Sequence, residues 1–256
     1  MTTTDYQRIL DDASIQAVAI ATPSTTHAAV AAKALHSGKD IFVEKPLCLS
    51  EKDAVMLIEL AQEKNRILMV GHLLWYHPAV LKLKELIGRG DLGRIQYIYS
   101  NRLNHGRLRR EENVLWSFAP HDVSVILGLL QEEPESVLAQ GGNYLHPRIA
   151  DTTVSLLNFA SGIHAHIFVS WLHPVKEQKL VVVGDRKMAV FDDMAAWSGK
   201  LTLYPHTVEW RDGMPVANRQ AAEAVALEED EPLRAQCSHF LDCVATRTTP
   251  RTHGSE

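Results

Sequence analysis

In DIFVEKPLCLS, residues 40–50, an apolar run of strand length stops at Glu44, Lys45 and Pro46. A carboxylate, an amine and a proline ring stand together where a buried strand ends. A lysine, with an ordinary pKa of about 10.4, takes up a proton near neutrality only where burial or a neighbouring cation disfavours its ammonium form. Lys45 is therefore either a proton-transfer group in such a setting or a surface lysine paired with a nearby carboxylate. Successive side chains of an extended strand point opposite ways, so Glu44 and Lys45 are expected to do separate jobs.

A second group lies in NVLWSFAPHDV, residues 113–123. Pro120 suits the first turn of a helix, where its missing N–H costs nothing, and this puts His121 in that turn. The positive end of a helix favours a neutral imidazole, which suits His121 to acid/base work or to orienting a hydroxyl. The alternative is a half-buried histidine that merely opens the helix. Ser117 and Asp122 flank it and are expected to bind substrate. Arg102, Arg107, Arg109 and Arg110 crowd the polar loop before this segment. Guanidinium groups hold phosphate oxygens bidentately, so Arg102 and Arg109 are candidates for a substrate phosphate. A solvated loop, or a contact with Glu111 and Glu112, is the alternative.

The 13 histidines raise the question of a metal. His164 and His166 share a strand face and His72 and His77 flank a turn, but neither pair comes with a third ligand or a His-Glu-x-x-His helix, so no metal is expected. The formal charge of −5 argues against nucleic acid as a partner. Cys48, Cys237 and Cys243 are too few and scattered for a disulfide framework. No basic, apolar leader and no apolar run near the ~20 residues of a membrane span is visible, so a cytoplasmic chain with no membrane partner is expected.

The elements that must position these residues alternate in the first third. QAVAIA (16–21) reads as a buried strand that Thr22-Pro23 must end; Ser24 then caps an alanine-rich helix that stops at Gly38. IFVE (41–44) is a second strand, Ser50 with Asp53 resembles a capping box opening a helix to about Lys64, and ILMVG (67–71) is a third strand. Such βαβαβ order implies parallel strands with ligands beyond their carboxyl ends, where Thr22-Pro23 and Glu44-Lys45-Pro46 should line one cleft. From about residue 76 the pattern changes: helices over 78–87 and 120–130, then TTVSLLNF and IHAHIFVSWL around Ala160-Ser161-Gly162, and QKLVVVG and KMAVFD around Asp185-Arg186. These read as hairpins of a mostly antiparallel sheet. The expected fold is α/β, an incomplete Rossmann-type parallel sheet in residues 1–75, followed by an α+β domain with a large mostly antiparallel sheet in residues 76–256.

Taken together, DASIQAVAIATPSTTHAAVAAKALHSGKDIFVEKPL, GHLLWYHPAVLKLKELIGRGDLGRI and EPLRAQCSHFLDCVATRTTPRTHG resemble the glucose-fructose oxidoreductase/inositol dehydrogenase/MocA family across essentially the whole chain. The resemblance implies NAD or NADP as cofactor, a sugar or nucleotide sugar as substrate, and a homo-oligomer formed through the C-terminal sheet. It implies that Lys45 acts on the substrate, and that Thr22, Pro23, His27, Glu44 and Lys45 contact the cofactor. Taking hydride from a carbinol makes a carbonyl only if the hydroxyl proton also leaves, so a base must stand beside it. Lys45 and His121 form the expected catalytic set. The family often has an aspartate where this chain has Ser117, which removes one member of the usual proton relay. WSFAPHD resembles the branch of nucleotide-sugar dehydrogenases thought to oxidise C3 of UDP-N-acetylhexosamines.

A dinucleotide fold opens with a strand and a Gly-x-Gly-x-x-Gly turn followed by a ribose-binding acid, and TDYQRILDD stands where these should already have passed. The first half of that domain is expected to be missing, and PRTHGSE to stop short of a closing helix. Two expectations follow: a dehydrogenase of sugars, or a truncated, non-catalytic assembly module of the same family.

Overall fold

The computed structural model describes residues 2–106, 108–110 and 112–255. It divides into two compact units, one made of the chain up to Trp75 and the segment from Glu231 onward, the other of Tyr76–Asp230.

The first unit begins with a short helix α1 (Gln7–Asp11), then β1 (Ala17–Ile20), α2 (Ser24–His36), β2 (Asp40–Val43), α3 (Glu51–Glu63) and β3 (Leu68–Val70). The strands pair in parallel in the order β1-β2-β3. Every residue of β2 is buried, as a strand covered on both faces must be. The second strand begins and ends one residue earlier than the sequence suggested, although the Glu44 amide still donates to the Ile20 carbonyl at 2.9 Å. Ser24 does not cap α2 but begins it, with Pro23 at the cap position. At the other end Gly38 turns the chain with φ +72°, a conformation open to glycine without strain. The Ser50 hydroxyl accepts from the Asp53 amide at 3.4 Å and opens α3. Helices α2 and α3 cover one face of the sheet with Ala31, Leu35, Leu57 and Ala61 against Ile41, Val43, Leu68 and Val70. Leu35 is fully enclosed, so truncating it to alanine would cost about 2–5 kcal/mol.

The second unit contains α4 (Pro78–Gly88), β4 (Ile95–His105), α5 (Val114–Phe118), α6 (Pro120–Leu130), β5 (Pro134–Gly142), β6 (Thr152–Phe159), β7 (His164–Ser170), β8 (Leu172–Gly184), β9 (Lys187–Asp192), β10 (Leu201–Arg211), β11 (Met214–Arg219) and β12 (Glu223–Ala224). Its sheet runs β11-β10-β9-β8-β4-β7-β6-β5, with β12 also on β10. All pairs are antiparallel except β4 with β7. Gly162, at φ +83°, makes the β6–β7 turn. Helices α5 and α6 lie on β6 and β7, and α4 on β9. Strand alternation then splits β6: Thr153, Ser155, Leu157 and Phe159 are buried, while Val154 and Leu156 are exposed.

The chain returns to the first unit through α7 (Pro232–Thr246), whose first amides from Leu233 and Arg234 are accepted by the Glu231 carboxylate. The sequence reading placed these last residues with the second domain. They pack instead on the face of the first sheet opposite α2 and α3: Phe240 meets Phe42 at 5.8 Å between ring centres, and Arg247 donates to the buried Asp40 carboxylate at 2.7 Å. Among the described residues no helix is long and apolar enough to cross a membrane.

Candidate functional site

In the first unit β1 and β2 run the same way, so the segments that follow them emerge at one edge of the sheet. His27, on the first helical turn after Thr22-Pro23, ties those segments together. Its Nδ1 lies 2.8 Å from the Pro46 carbonyl oxygen and its Nε2 2.8 Å from that of Thr22. It is only 1% exposed. Lying between these two carbonyls, and donating to one of them in either neutral tautomer, His27 joins the Thr22-Pro23 turn to the Lys45-Pro46 turn. Thr22 and Pro23 are held further by Thr26, whose hydroxyl lies 2.8 Å from both the Thr22 hydroxyl and the Pro23 carbonyl.

The Glu44 side chain lies over Gly71, just past the end of β3. A Cβ at Gly71 would come within 3.0 Å of Glu44 Oε2 and 3.2 Å of its Cα, so any side chain there would push Glu44 aside by a few tenths of an ångström. The next residue, His72, is one that sequence reasoning weighed only as a metal ligand. Burial, and then the charge of Lys45, push its pKa down to about 4, which makes it a neutral imidazole at neutral pH. Its buried Nδ1 has no hydrogen-bond partner among the described residues. Its signal in the sequence is its place two residues past a buried strand, the same kind of position that Glu44 and Lys45 occupy. A buried polar atom without a partner at the carboxyl ends of parallel strands suits a polar ligand such as a dinucleotide, for which Thr22, Pro23, Glu44 and Lys45 stand at the same edge.

In the second unit α5 and α6 share Ala119, and Pro120, having no N–H, breaks the helix there and sets His121 in the first turn of α6. Ser117 is buried one turn earlier on α5. Asp122 and Arg102, both expected at the substrate, are bonded to each other: Asp122 Oδ2 accepts from Arg102 Nε at 2.7 Å, and Oδ1 accepts from Ser100 at 2.6 Å and Arg102 Nη2 at 3.2 Å. Burial works against the Arg102 charge, yet the charge and hydrogen bonds of Asp122, with Asp193 beyond it, hold its pKa above the ordinary value. The pair anchors the start of α6 to β4. Arg109 is bridged to the buried Glu112 at 3.2 Å. Arg107 and Glu111 lie outside the described residues.

The histidines singled out on β7 have other partners: His164 Nδ1 is 2.8 Å from Asn158 Oδ1, and His166 stacks on Tyr99 at 5.3 Å. Among the described residues no group of three or more His, Cys, Asp or Glu side chains is placed to hold a metal ion.

The three-stranded parallel sheet, with Thr22, Glu44 and Lys45 just past its strand ends and a large, mostly antiparallel sheet following in sequence, has the form of a dinucleotide-binding domain followed by a second α+β domain. Residues 2–72 match the family model described as oxidoreductase family, NAD-binding Rossmann fold, and residues 80–190 match that of the GFO/IDH/MocA C-terminal domain. The chain belongs to the glucose-fructose oxidoreductase/inositol dehydrogenase/MocA family. It is 28% identical to the UDP-N-acetylglucosamine 3-dehydrogenase of Acidithiobacillus ferrooxidans, over 91% of this chain and 71% of that one. It is 26% identical to the scyllo-inositol 2-dehydrogenase (NAD(+)) of Bacillus subtilis, over 96% of this chain and 72% of that one. A solved structure of the Acidithiobacillus enzyme superposes with a TM-score of 0.83 at 25% identity, covering 100% of this chain and 78% of that one.

Proposed function

We propose that this chain transfers hydride between a nicotinamide cofactor and a sugar or nucleotide sugar, with C3 of a UDP-N-acetylhexosamine as the first substrate to test. The observation that carries this reading is the buried, unpartnered Nδ1 of His72 at the carboxyl ends of the first sheet, with the charge of Lys45 near enough to help keep that imidazole neutral. The likeness to a UDP-N-acetylglucosamine 3-dehydrogenase over 91% of the chain supports the choice of substrate.

The cofactor, when bound, supplies the hydride acceptor. The chain's own residues handle the proton and the geometry. Lys45 Nζ takes the proton of the substrate hydroxyl as the carbon–hydrogen bond breaks, and the His72 imidazole keeps a second positive charge away from it. Glu44, seated over Gly71, and the Thr22-Pro23 turn, fixed by His27, form the cofactor's walls. His121, at a helix start, orients a hydroxyl, with Ser117 as its neighbour in sequence and Arg102-Asp122 as its anchor. Arg109, with 41% of its side chain exposed, is the arginine offered to a pyrophosphate. A second copy of this chain covers the open face of the large sheet, where Tyr97, Val154, Leu156 and Tyr204 are exposed.

The test is titration of the intact chain with NAD(H) and NADP(H) by calorimetry, followed by a screen of UDP-sugars for reduction of the bound cofactor. Micromolar binding with turnover of a UDP-N-acetylhexosamine is expected. Failure to bind either dinucleotide overturns the reading and favours an assembly module.

A further inference from the structure

Helix α7 carries a side chain that the fold does not use. Gln236 is 1% exposed, and neither its amide oxygen nor its amide nitrogen has a hydrogen-bond partner among the described residues. A buried amide left unpaired is destabilising, so it marks a place where something else completes the bonding. Its position follows from the register of α7 on β2. Arg247 binds Asp40 at the start of β2 and Phe240 meets Phe42, so the helix runs antiparallel to the strand. One helical turn back from Phe240 is about 6 Å, and two residues on from Phe42 is about 6.6 Å. Gln236 is therefore level with Glu44, on the side to which Phe42 and Glu44 both point. The unpaired Nδ1 of His72 is a second, independent vacancy for a hydrogen bond at the same edge of the sheet.

A glutamine amide is self-complementary with a primary carboxamide, its oxygen accepting an N–H and its nitrogen donating to the carbonyl. We propose that Gln236 pairs with the carboxamide of the nicotinamide ring beside Glu44, so that α7 reads the reactive end of the cofactor. This rests on the reading above that a nicotinamide cofactor binds at these strand ends. It also gives residues 231–255 a part in binding that their distance in sequence conceals.

The experiment is calorimetry of the intact chain and of Gln236→Leu with three ligands: NAD+, its acid analogue in which a carboxylate replaces the carboxamide, and its acetyl analogue in which a methyl replaces the amide nitrogen. The wild type is expected to prefer NAD+ over both. Gln236→Leu is expected to bind NAD+ about tenfold more weakly and to lose the preference, with no fall in melting temperature, because leucine removes an unsatisfied group. A lowered melting temperature would show that the amide has a structural partner and would overturn the inference. A second variant, Gln236→Glu, keeps the acceptor and should reject the acid analogue more strongly than the wild type does; indifference between NAD+ and the acid analogue overturns the inference. Wild-type binding of all three ligands alike also overturns it while leaving the cofactor reading intact, whereas no binding of any of them defeats both.

Discussion

Gly71 leaves the space that Glu44 fills: the Glu44 Oε2 lies 3.0 Å from where a Gly71 Cβ would stand, and the Glu44 Cα lies 3.2 Å from it. Gly71→Ala must therefore displace Glu44. The expected result is roughly tenfold weaker NAD(H) binding, with the Gly71→Ala, Glu44→Ala double variant no worse than Glu44→Ala alone, because both changes act through one carboxylate. Additive losses would show that the glycine serves something else.

Lys45 should matter to turnover and little to cofactor affinity. Lys45→Met is expected to lower the rate of sugar oxidation roughly a hundredfold or more while the NAD(H) dissociation constant barely moves. Single-turnover kinetics beside calorimetry separates the two, and unchanged turnover would remove Lys45 from the chemistry.

The pKa of His72, about 4 in the folded chain, lies below its ordinary 6.5. Between these values the unfolded chain binds more protons, so the contribution of His72 is fully present above pH 6.5 and is lost as pH falls toward 4, an effect of about 3 kcal/mol. His77 and His239 are also lowered by burial and add the same sign. Urea denaturation of wild type and His72→Gln across that window isolates one residue. Relative to His72→Gln, the wild type should lose about 3 kcal/mol between pH 7 and pH 4, and parallel curves would show that His72 does not titrate there.

Asp40 is almost fully buried and binds both the Ile67 amide and Arg247, each at 2.7 Å. Arg247→Met strands the carboxylate and should cost about 2 kcal/mol, less than for a fully enclosed pair because the arginine is partly exposed. Asp40→Asn keeps the acceptor for Ile67 and should cost less. Amide exchange at Ile67 reads the difference.

If a second copy covers the open sheet face, Leu156→Lys should convert a sedimenting oligomer to monomer without lowering the stability of the sheet, since Leu156 is exposed in the single chain. A monomeric wild type would defeat this.

Features that depend on neighbours in sequence were legible. Pro120 marks the start of α6, Gly38 the end of α2, and the alternation of TTVSLLNF with Gly162 beyond it gives the β6–β7 hairpin. The lysine and glutamate at the end of β2 were visible because a polar pair after an apolar run is a local signal. Strand β5 was not, since Gln140, Gly141 and Gly142 have weak strand preference and only pairing with β6 holds them extended. The return of α7 to the first unit rests on contacts such as Arg247 with Asp40, between residues far apart in the chain. Likewise Arg102 and Asp122 each look like ligand-binding groups alone, and only their meeting across β4 and α6 shows that they satisfy one another. His27 announced itself as polar and near the Thr-Pro turn, but nothing in its spacing shows that both ring nitrogens end on carbonyls.

The placement of α7 bears on synthesis. The unit formed by Tyr76–Asp230 is an insertion within the other, so it leaves the ribosome whole while the outer unit still lacks the helix that covers one face of its sheet. Domains tend to fold as they emerge, amino end first, but in this chain the middle can finish before the beginning. Until Phe240 arrives, the apolar face carrying Phe42 has no cover from α7, and during translation that face is a natural client for chaperones.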